Sequence, residues 1–474
     1  MASNGATTSD VENSILIECP PFDITLSHWD RIFPPTPSKR ILCFQLPQGA
    51  NKSNVIEHLH IAFHHTVQRV PFLAGRIVPF SEEEGGRPWL RNITPDGAAR
   101  LDIRDLSGEL SFSQLKQANF PQTLLKADKL CTFARVAYVS EDPVDVCCFN
   151  ATFINGGLLL VVQVMHIAAD GRGVSDIIKI FADNLRKTKL GELRRPLETI
   201  KTVYKSDRTA LVSGNGLTGS LEGHPAFTAS PVNTHSFIQD VSSACQTYRI
   251  SASNLVILKK LASMHLSAGE WISTGDAIAA LIWRSIMMAR HRAGILPNGR
   301  DISLAQPVDF RTHLKIPPPY FGNCLYMTRA ATQFSTVANP KSGLTAAAQI
   351  IRNDVRSVTA DVVRDLLAFS ERTEKEQHTH LKIIGEVATS GIILTSHFKF
   401  NLHDIDFGET FVDGRIQALR FPEKGTMGGA VIVMPQLPDG GCEFMVSEEM
   451  ATVSALRDDA LFTRFAVGGG DGSE

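Results

Sequence analysis

"VVQVMHIAADGRGVSD", residues 161–176, ends an apolar strand-like run at His166 and follows it with Asp170 and Gly171. A buried strand that stops at an imidazole has two readings. In the plain one, a strand end gives way to a turn and a helix cap. In the other, His166 is a base whose proton affinity is set by burial and neighbours. Asp170 would then pair with the imidazole or fix the loop, and Gly171 would allow a backbone geometry that other residues avoid. HxxxDG alone does not choose between them. Val174, Ile177, Ile178, Phe181 and Leu185 then recur at helical spacing. The stretch is therefore a strand–turn–helix unit.

Strand patterns surround it at "RILCFQL" (40–46), "FARVAYV" (133–139), "VDVCCFNATF" (144–153) and "LLLVVQVMH" (158–166). Asn155-Gly156-Gly157 joins the last two as a hairpin signal. Val55, Leu59, Ala62, Phe63 and Thr66 share one helical face, and "VPFLAGRIVPF" (70–80) turns through Ala74-Gly75 into a strand. Hairpins among helices predict a layered α/β fold with mixed sheets, not the strict alternation of a doubly wound sheet. Residues 205–238 are rich in Gly, Ser, Thr and Pro without a period and read as a crossover between domains. A strand-to-helix pattern restarts at "YRISASNLVILKKLASMH". A helix at "STGDAIAALIWRSI" follows, capped by Ser273 or Thr274 with Asp276 in its first turn. Strands recur at "SLAQPV", "GIILTS", "AVIVMP" and "CEFMVS". The expected organisation is a domain over 1–204, a crossover over 205–238, a domain over 239–467 and a disordered tail over 468–474.

A chain of 474 residues exceeds one ordinary domain, in keeping with that division. Hydrophobic residues at 43% and charged residues at 20% fit a globular protein with large cores. A net charge of −2 gives no reason to expect nucleic acid or an anionic membrane as partner. No stretch reaches the length of a membrane span, and "MASNGATTSDVENSILIE" lacks the pattern of a secretory signal. The eight cysteines form no CxxC or zinc-like spacing, so reduced thiols in a cytoplasmic protein are expected, with Cys147 and Cys148 in the core. His58, His60, His64 and His65 lie on one helix without an HExxH glutamate and read as a surface or lightly buried face. No metal is expected. "HTH" (378–380) reads as a solvated segment, and "KGTMGG" (424–429) lacks the ending of a phosphate loop.

Further motifs stand around HxxxDG in a fixed order: "LSHWDRIFPP" (26–35), "VPFLAGRI", "STGDAIAALIWRSI" (273–286), "QPVDFRTHLKIPPPYFGNCLYM" (306–327) and "HFKFNLHDIDFGE" (397–409). Over nearly the whole chain this order resembles the BAHD superfamily of CoA-dependent acyltransferases. Among its members the sequence looks closest to divergent fungal ones, such as trichothecene 3-O-acetyltransferases. The resemblance implies two chloramphenicol-acetyltransferase-like domains with a solvent channel between them and His166 at its middle. His166 would act as general base between acyl-CoA and a hydroxylated acceptor, a terpenoid or polyketide, with direct attack and no acyl-enzyme. Asp170 would turn away from the imidazole and pair with Arg311 or Arg284, supported by Gly171. Asp406 and Gly408 of the DFG segment would shape the donor channel, with proton transfer by Asp406 as the alternative. Glu409, Thr410 and His397 depart from the plant pattern and leave that channel lining open. Lys259, Lys260, Ser273, Thr274 and Ser396 are the candidate CoA contacts. The enzyme is expected to be monomeric, with no permanently bound cofactor.

Three alternatives remain. A condensation domain shares HxxxDG, but usually has a second histidine where this chain has Met165. The acyl donor could be a carrier-protein thioester. An inactive binding protein on the same fold is the non-enzyme reading.

Overall fold

The computed structural model describes residues 13–18, 20–33, 36–81, 87, 89–133, 143–189, 191, 203–204, 207–211, 218–232, 243–387, 389–423 and 426–468. The chain divides into two compact units. The first comprises Met1–Val212, Pro317–Asn323 and Leu402–Gly425; the second comprises Ser213–Ile316, Cys324–Asn401 and Thr426–Glu474. The sequence expectation of one stretch each, 1–204 and 239–467, differs from this division at two late segments. Pro317–Asn323 and Leu402–Gly425 belong to the first unit because their bonding partners lie there: Asn323 meets Asp30, and Ala418–Arg420 extends the first sheet. Within the expected crossover, Phe227–Thr228 pairs with His380–Leu381. The expected strand at 133–139 lies outside the described residues except for Phe133, and the expected tail except for Gly468.

The first unit is built on β1 (Asn13–Glu18), β2 (Pro37–Gln45), β3 (Ala98–Asp105), β4 (Cys147–Ile154) and β5 (Gly157–Met165), with Ala418–Arg420 at an edge. The order is β1-β3-β4-β5-β2-(418–420). All neighbours are antiparallel except β3 and β4. Every residue of β4 and β5 is buried, as expected for central strands covered on both faces. Gly156, at φ +76°, makes the hairpin between them. On one face, Phe149 of β4 packs between Phe63 of α1 (Lys52–Arg69) and Phe181 of α2 (Gly171–Lys189), with ring centroids 4.5 and 5.3 Å away. The other face buries Ile41, Cys43, Leu159 and Val161 against Phe112, Leu115 and Phe120. This packing fixes the end of β5 where His166 emerges.

In the second unit, β6 (Ser243–Ile250), β7 (Asp301–Asp309), β8 (Leu325–Gln333), β9 (Gly391–Ser396), β10 (Ala430–Val433) and β11 (Cys442–Glu449) form a mixed sheet in the order β8-β7-β9-β10-β11-β6, closed by Val467–Gly468. Its core centres on α4 (Thr274–Arg292), preceded by α3 (Ala252–Ala262). The expected cap on α4 is a full capping box. Ser273 Oγ accepts from Asp276 N, and the Asp276 carboxylate accepts from Ser273 N. Two amphipathic helices not expected from the sequence, Gly343–Ser357 and Ala360–Thr373, complete this unit.

The seven described cysteines are buried and free, Cys147 and Cys148 in the core as expected. Burial pushes the thiols of Cys43 and Cys442 up to about 12. On α1, His60 and His64 stack at 6.5 Å, whereas His65 is buried, more deeply than the expected surface face. His378 and His380 are half-buried instead of solvated, because His380 belongs to the short strand paired with Phe227–Thr228. Among the described residues, no helix is long and apolar enough to cross a membrane.

Candidate active site

β5 ends at Met165, and the chain turns through Ile167–Ala169 before α2 begins at Gly171. His166 sits at this exit, half-buried, its ring stacked on Phe33 at 5.0 Å and 14°. Its Nδ1 is sealed from solvent and has no hydrogen-bond partner among the described residues. Burial holds the imidazole below its usual 6.5. The charge of Asp170 opposes that shift, and the charge of Arg40 adds to it. Burial and Arg40 thus both favour the uncharged form of the ring.

Asp170 is fully buried, and its Oδ1 accepts from Gly173 N at 2.9 Å. It is thus the N-cap of α2, with the acceptor placed where the helix's free N–H groups and dipole favour negative charge. Gly171 is an ordinary helical residue without a left-handed φ, so the permissive geometry expected there is not used. The close approach falls at Gly173 instead, where a Cβ would lie 2.1 Å from Phe321 O. Arg40, on β2, was not singled out from the sequence. It is fully buried, donates from Nη2 to Gly171 O at 3.2 Å, and burial lowers its pKa to about 10 against the opposing charge of Asp170.

The main-chain carbonyls of the His166 turn are also held. Asn323 Nδ2 donates to His166 O at 2.8 Å and approaches Ile167 O at 3.3 Å, and Arg208 Nη2 donates to Ala168 O at 2.8 Å. Asp30 supports both donors. Its Oδ1 accepts from Asn323 N at 2.8 Å and Nδ2 at 3.1 Å, and Arg208 Nη1 lies 3.5 Å away. Its Oδ2 accepts from Ser27 N and Oγ at 3.1 and 2.7 Å. Asp30, Asn323 and Arg208 are all buried. "LSHWDR" and "YFGN" carry two of these residues. The polar Asp30 and Asn323 inside apolar segments were the only sequence signal, and Arg208 had none.

Asp406 lies in the same unit, exposed, with Oδ1 accepting from Gly408 N at 2.8 Å. Gly408 at φ +78° and Gly414 at +60° make the tight turn that this carboxylate closes. Phe407 beside it is fully buried against Phe44 at 4.9 Å. The remaining expected residues belong to the second unit. Arg311 follows β7, its Nη1 3.1 Å from Asp309 Oδ1, and Arg284 lies 3.3 Å from Asp459 Oδ2. Lys259, Lys260 and Thr274 line one cleft of about 610 Å³ together with Ser263, Leu255 and Phe398. Ser273 is occupied by its capping box, and Ser396 Oγ accepts from Phe398 N at 3.4 Å.

A family model described as the Transferase family matches residues 18–460. Among curated proteins, the chain is 55% identical over 456 residues to "Enoyl-CoA isomerase/hydratase claC" of Penicillium crustosum. That match covers 96% of this chain but spans only 52% of claC, about half its length. It is 25% identical to "O-acyltransferase pigD" of Monascus ruber, over 90% of this chain and 94% of that protein. Among solved structures, Fusarium graminearum TRI101 complexed with coenzyme A and deoxynivalenol matches with a TM-score of 0.79 at 20% identity, covering 95% of this chain and all of the other.

Proposed function

From the premise that this chain belongs to the Transferase family, the acyltransferases of BAHD type, we propose that it moves a short acyl group from acyl-CoA to a hydroxyl of a secondary metabolite, with His166 as general base. The observation that carries this reading is the half-buried, neutral imidazole at the end of β5, stacked on Phe33 with Nδ1 sealed. His166 Nε2 takes the proton of the acceptor hydroxyl as its oxygen attacks the thioester carbonyl. The tetrahedral adduct then expels the CoA thiolate, which receives that proton from the imidazolium. No acyl-enzyme forms. Asp170 and Gly408 support the loops, and Asp406 closes its turn. The CoA phosphates are assigned to the Lys259–Lys260–Thr274 cleft, where two ammonium groups and the start of α4 offer positive charge. TRI101, solved in complex with coenzyme A and deoxynivalenol, has the same fold, which supports a CoA donor and a hydroxylated acceptor. A cytoplasmic monomer fits this reading.

The test mixes the protein with acetyl-CoA and a panel of hydroxylated terpenoids and polyketides and follows free thiol. Wild type should release thiol, and His166→Ala should lose about 10²–10⁴-fold of the rate. Equal rates in the two proteins would overturn the base. Release only from a carrier-bound acyl group would overturn the CoA assignment and leave the base standing. A second reading follows from claC, named as an enoyl-CoA isomerase/hydratase, another reaction of CoA thioesters. Hydration of an enoyl-CoA without thiol release would favour it.

A further inference from the structure

The main-chain N–H groups of the turn after β5 bond to Thr36 O, from His166 N at 2.8 Å, and to Met165 O, from Ala168 N and Ala169 N. Its three consecutive carbonyls, those of residues 166, 167 and 168, each meet a buried side-chain donor. Both donors come from distant parts of the chain and share one anion, Asp30. We propose that Asn323 and Arg208, organised by Asp30, are positioning residues that aim the His166 imidazole for proton transfer. The inference rests on the reading of His166 as the base.

The surroundings are shaped for this task. The Arg208 guanidinium lies between the rings of Phe72 and Tyr320, at 5.6 and 5.5 Å, which fixes its plane. Gly322 leaves room for it, since a Cβ there would lie 1.4 Å from Arg208 Nη1. Phe321 packs on Phe72 at 5.8 Å, and its carbonyl presses on Gly173 in the first turn of α2. Tyr320, Phe321, Gly322 and Asn323 thus act as a wedge whose last residue delivers the donor. The amide orientation of Asn323 is decided by its surroundings, because the carboxylate of Asp30 and two carbonyls all face Nδ2. Its Oδ1 is buried and has no partner among the described residues. The donor half of the side chain is what this position uses.

Held from behind by the carbonyls and from the side by Phe33, the ring has little freedom to swing. A misplacement of about 1 Å at a reacting group can cost about 10²-fold in rate. The experiment compares wild type, Asn323→Ala, Asn323→Ser, Arg208→Lys and His166→Ala. It measures kcat and KM for acetyl-CoA by thiol release, melting temperature, and the ring nitrogens of His166 by long-range proton–nitrogen correlation on histidine-labelled protein. His166→Ala assigns the signal. Asn323→Ala should lower kcat about 10–100-fold with KM within about twofold, and should move the His166 ring signal. Arg208→Lys should retain more of the rate, because it keeps the charge beside Asp30. Parental kcat and an unmoved ring signal in folded Asn323→Ala would overturn the proposal. If Asn323→Ala does not fold, the same comparison is made with Asn323→Ser and Arg208→Lys. Should His166→Ala keep the parental rate, the base reading falls by itself, and the ring signal still decides whether Asn323 aims the imidazole.

Discussion

Each unit contains a buried arginine beside a buried carboxylate, and the two pairs are wired differently. In the second unit, Arg290 faces Glu448 with two nitrogens, at 3.2 and 2.5 Å, and also donates to the carbonyls of Val387, Thr389 and Gly391. All three guanidinium nitrogens have partners, and the arrangement ties down the entry to β9. Burial raises the pKa of Glu448, and Arg290 opposes that shift. In the first unit, Arg208 meets Asp30 through one nitrogen at 3.5 Å and places another on Ala168 O, while its Nε finds no partner among the described residues. The saturated pair leaves no guanidinium nitrogen of Arg290 unbonded, so removing either partner would strand a buried charge. The unsaturated one sends its donors to the turn that carries the histidine. The same residue types thus serve a strand entry in one unit and an aimed imidazole in the other.

The largest effect that would break this contrast is expected at Arg290. Replacing it with Met leaves Glu448 buried without its cation, a change that typically costs about 3–5 kcal/mol. Denaturant unfolding of Arg290→Met should show that loss, while thiol release per folded molecule stays at the parental level. A fall in kcat at full folding would mean that the saturated pair also tunes chemistry, and the contrast would fail. The double change Arg290→Met with Glu448→Leu should recover much of the stability, because no buried charge then remains unpaired.

Gly322→Ala tests the other side. The added methyl overlaps Arg208 Nη1, which is hemmed between two rings and has little room to withdraw. Overpacking of this kind costs about 1–3 kcal/mol, and Arg208 should lose its bond to Ala168 O. The expected result is a modest drop in melting temperature with kcat lower by about tenfold. Loss of stability alone, with kcat intact, would make the wedge a packing device only.

The strand–turn–helix at 161–176 was legible because its periods differ so sharply on the two sides of the turn. Burial of β5 was legible because its run is apolar except for Gln163, whereas Asn150 and Thr152 alternate along β4 and give no sign that both of its faces are covered. Asp170 turned out to satisfy the plain reading as well, since it caps α2. What the pattern could not reveal was the clamp. Asp30, Arg208 and Asn323 lie far apart in sequence and meet only through tertiary packing, and Arg208 sits in a Gly- and Ser-rich stretch that carries no period at all. Arg40 was hidden similarly, as a charge at the start of the strand "RILCFQL". Single-chain periodicity reports which face is apolar. It is silent on which polar residue has been drawn beneath a turn.

The smallest expected effect concerns pH and brings Arg40 into the contrast as a third buried arginine, one whose Nε and Nη1 have no partner among the described residues. Burial holds the His166 pKa below 6.5, with Arg40 adding to the shift and Asp170 opposing it. A base must be unprotonated, so kcat/KM should stay level down through pH 6.5 and fall only as pH drops through the lowered pKa. The same depression makes a stability term. The unfolded chain takes up the proton first, so His166 favours folding above 6.5, and that contribution is lost progressively as pH falls below it. Arg40→Gln removes the neighbouring positive charge and should move the acid limb of kcat/KM upward, toward 6.5. A limb that stays in place, or moves down, would show that Arg40 acts only through its bond to Gly171 O, and that burial by itself keeps the imidazole neutral.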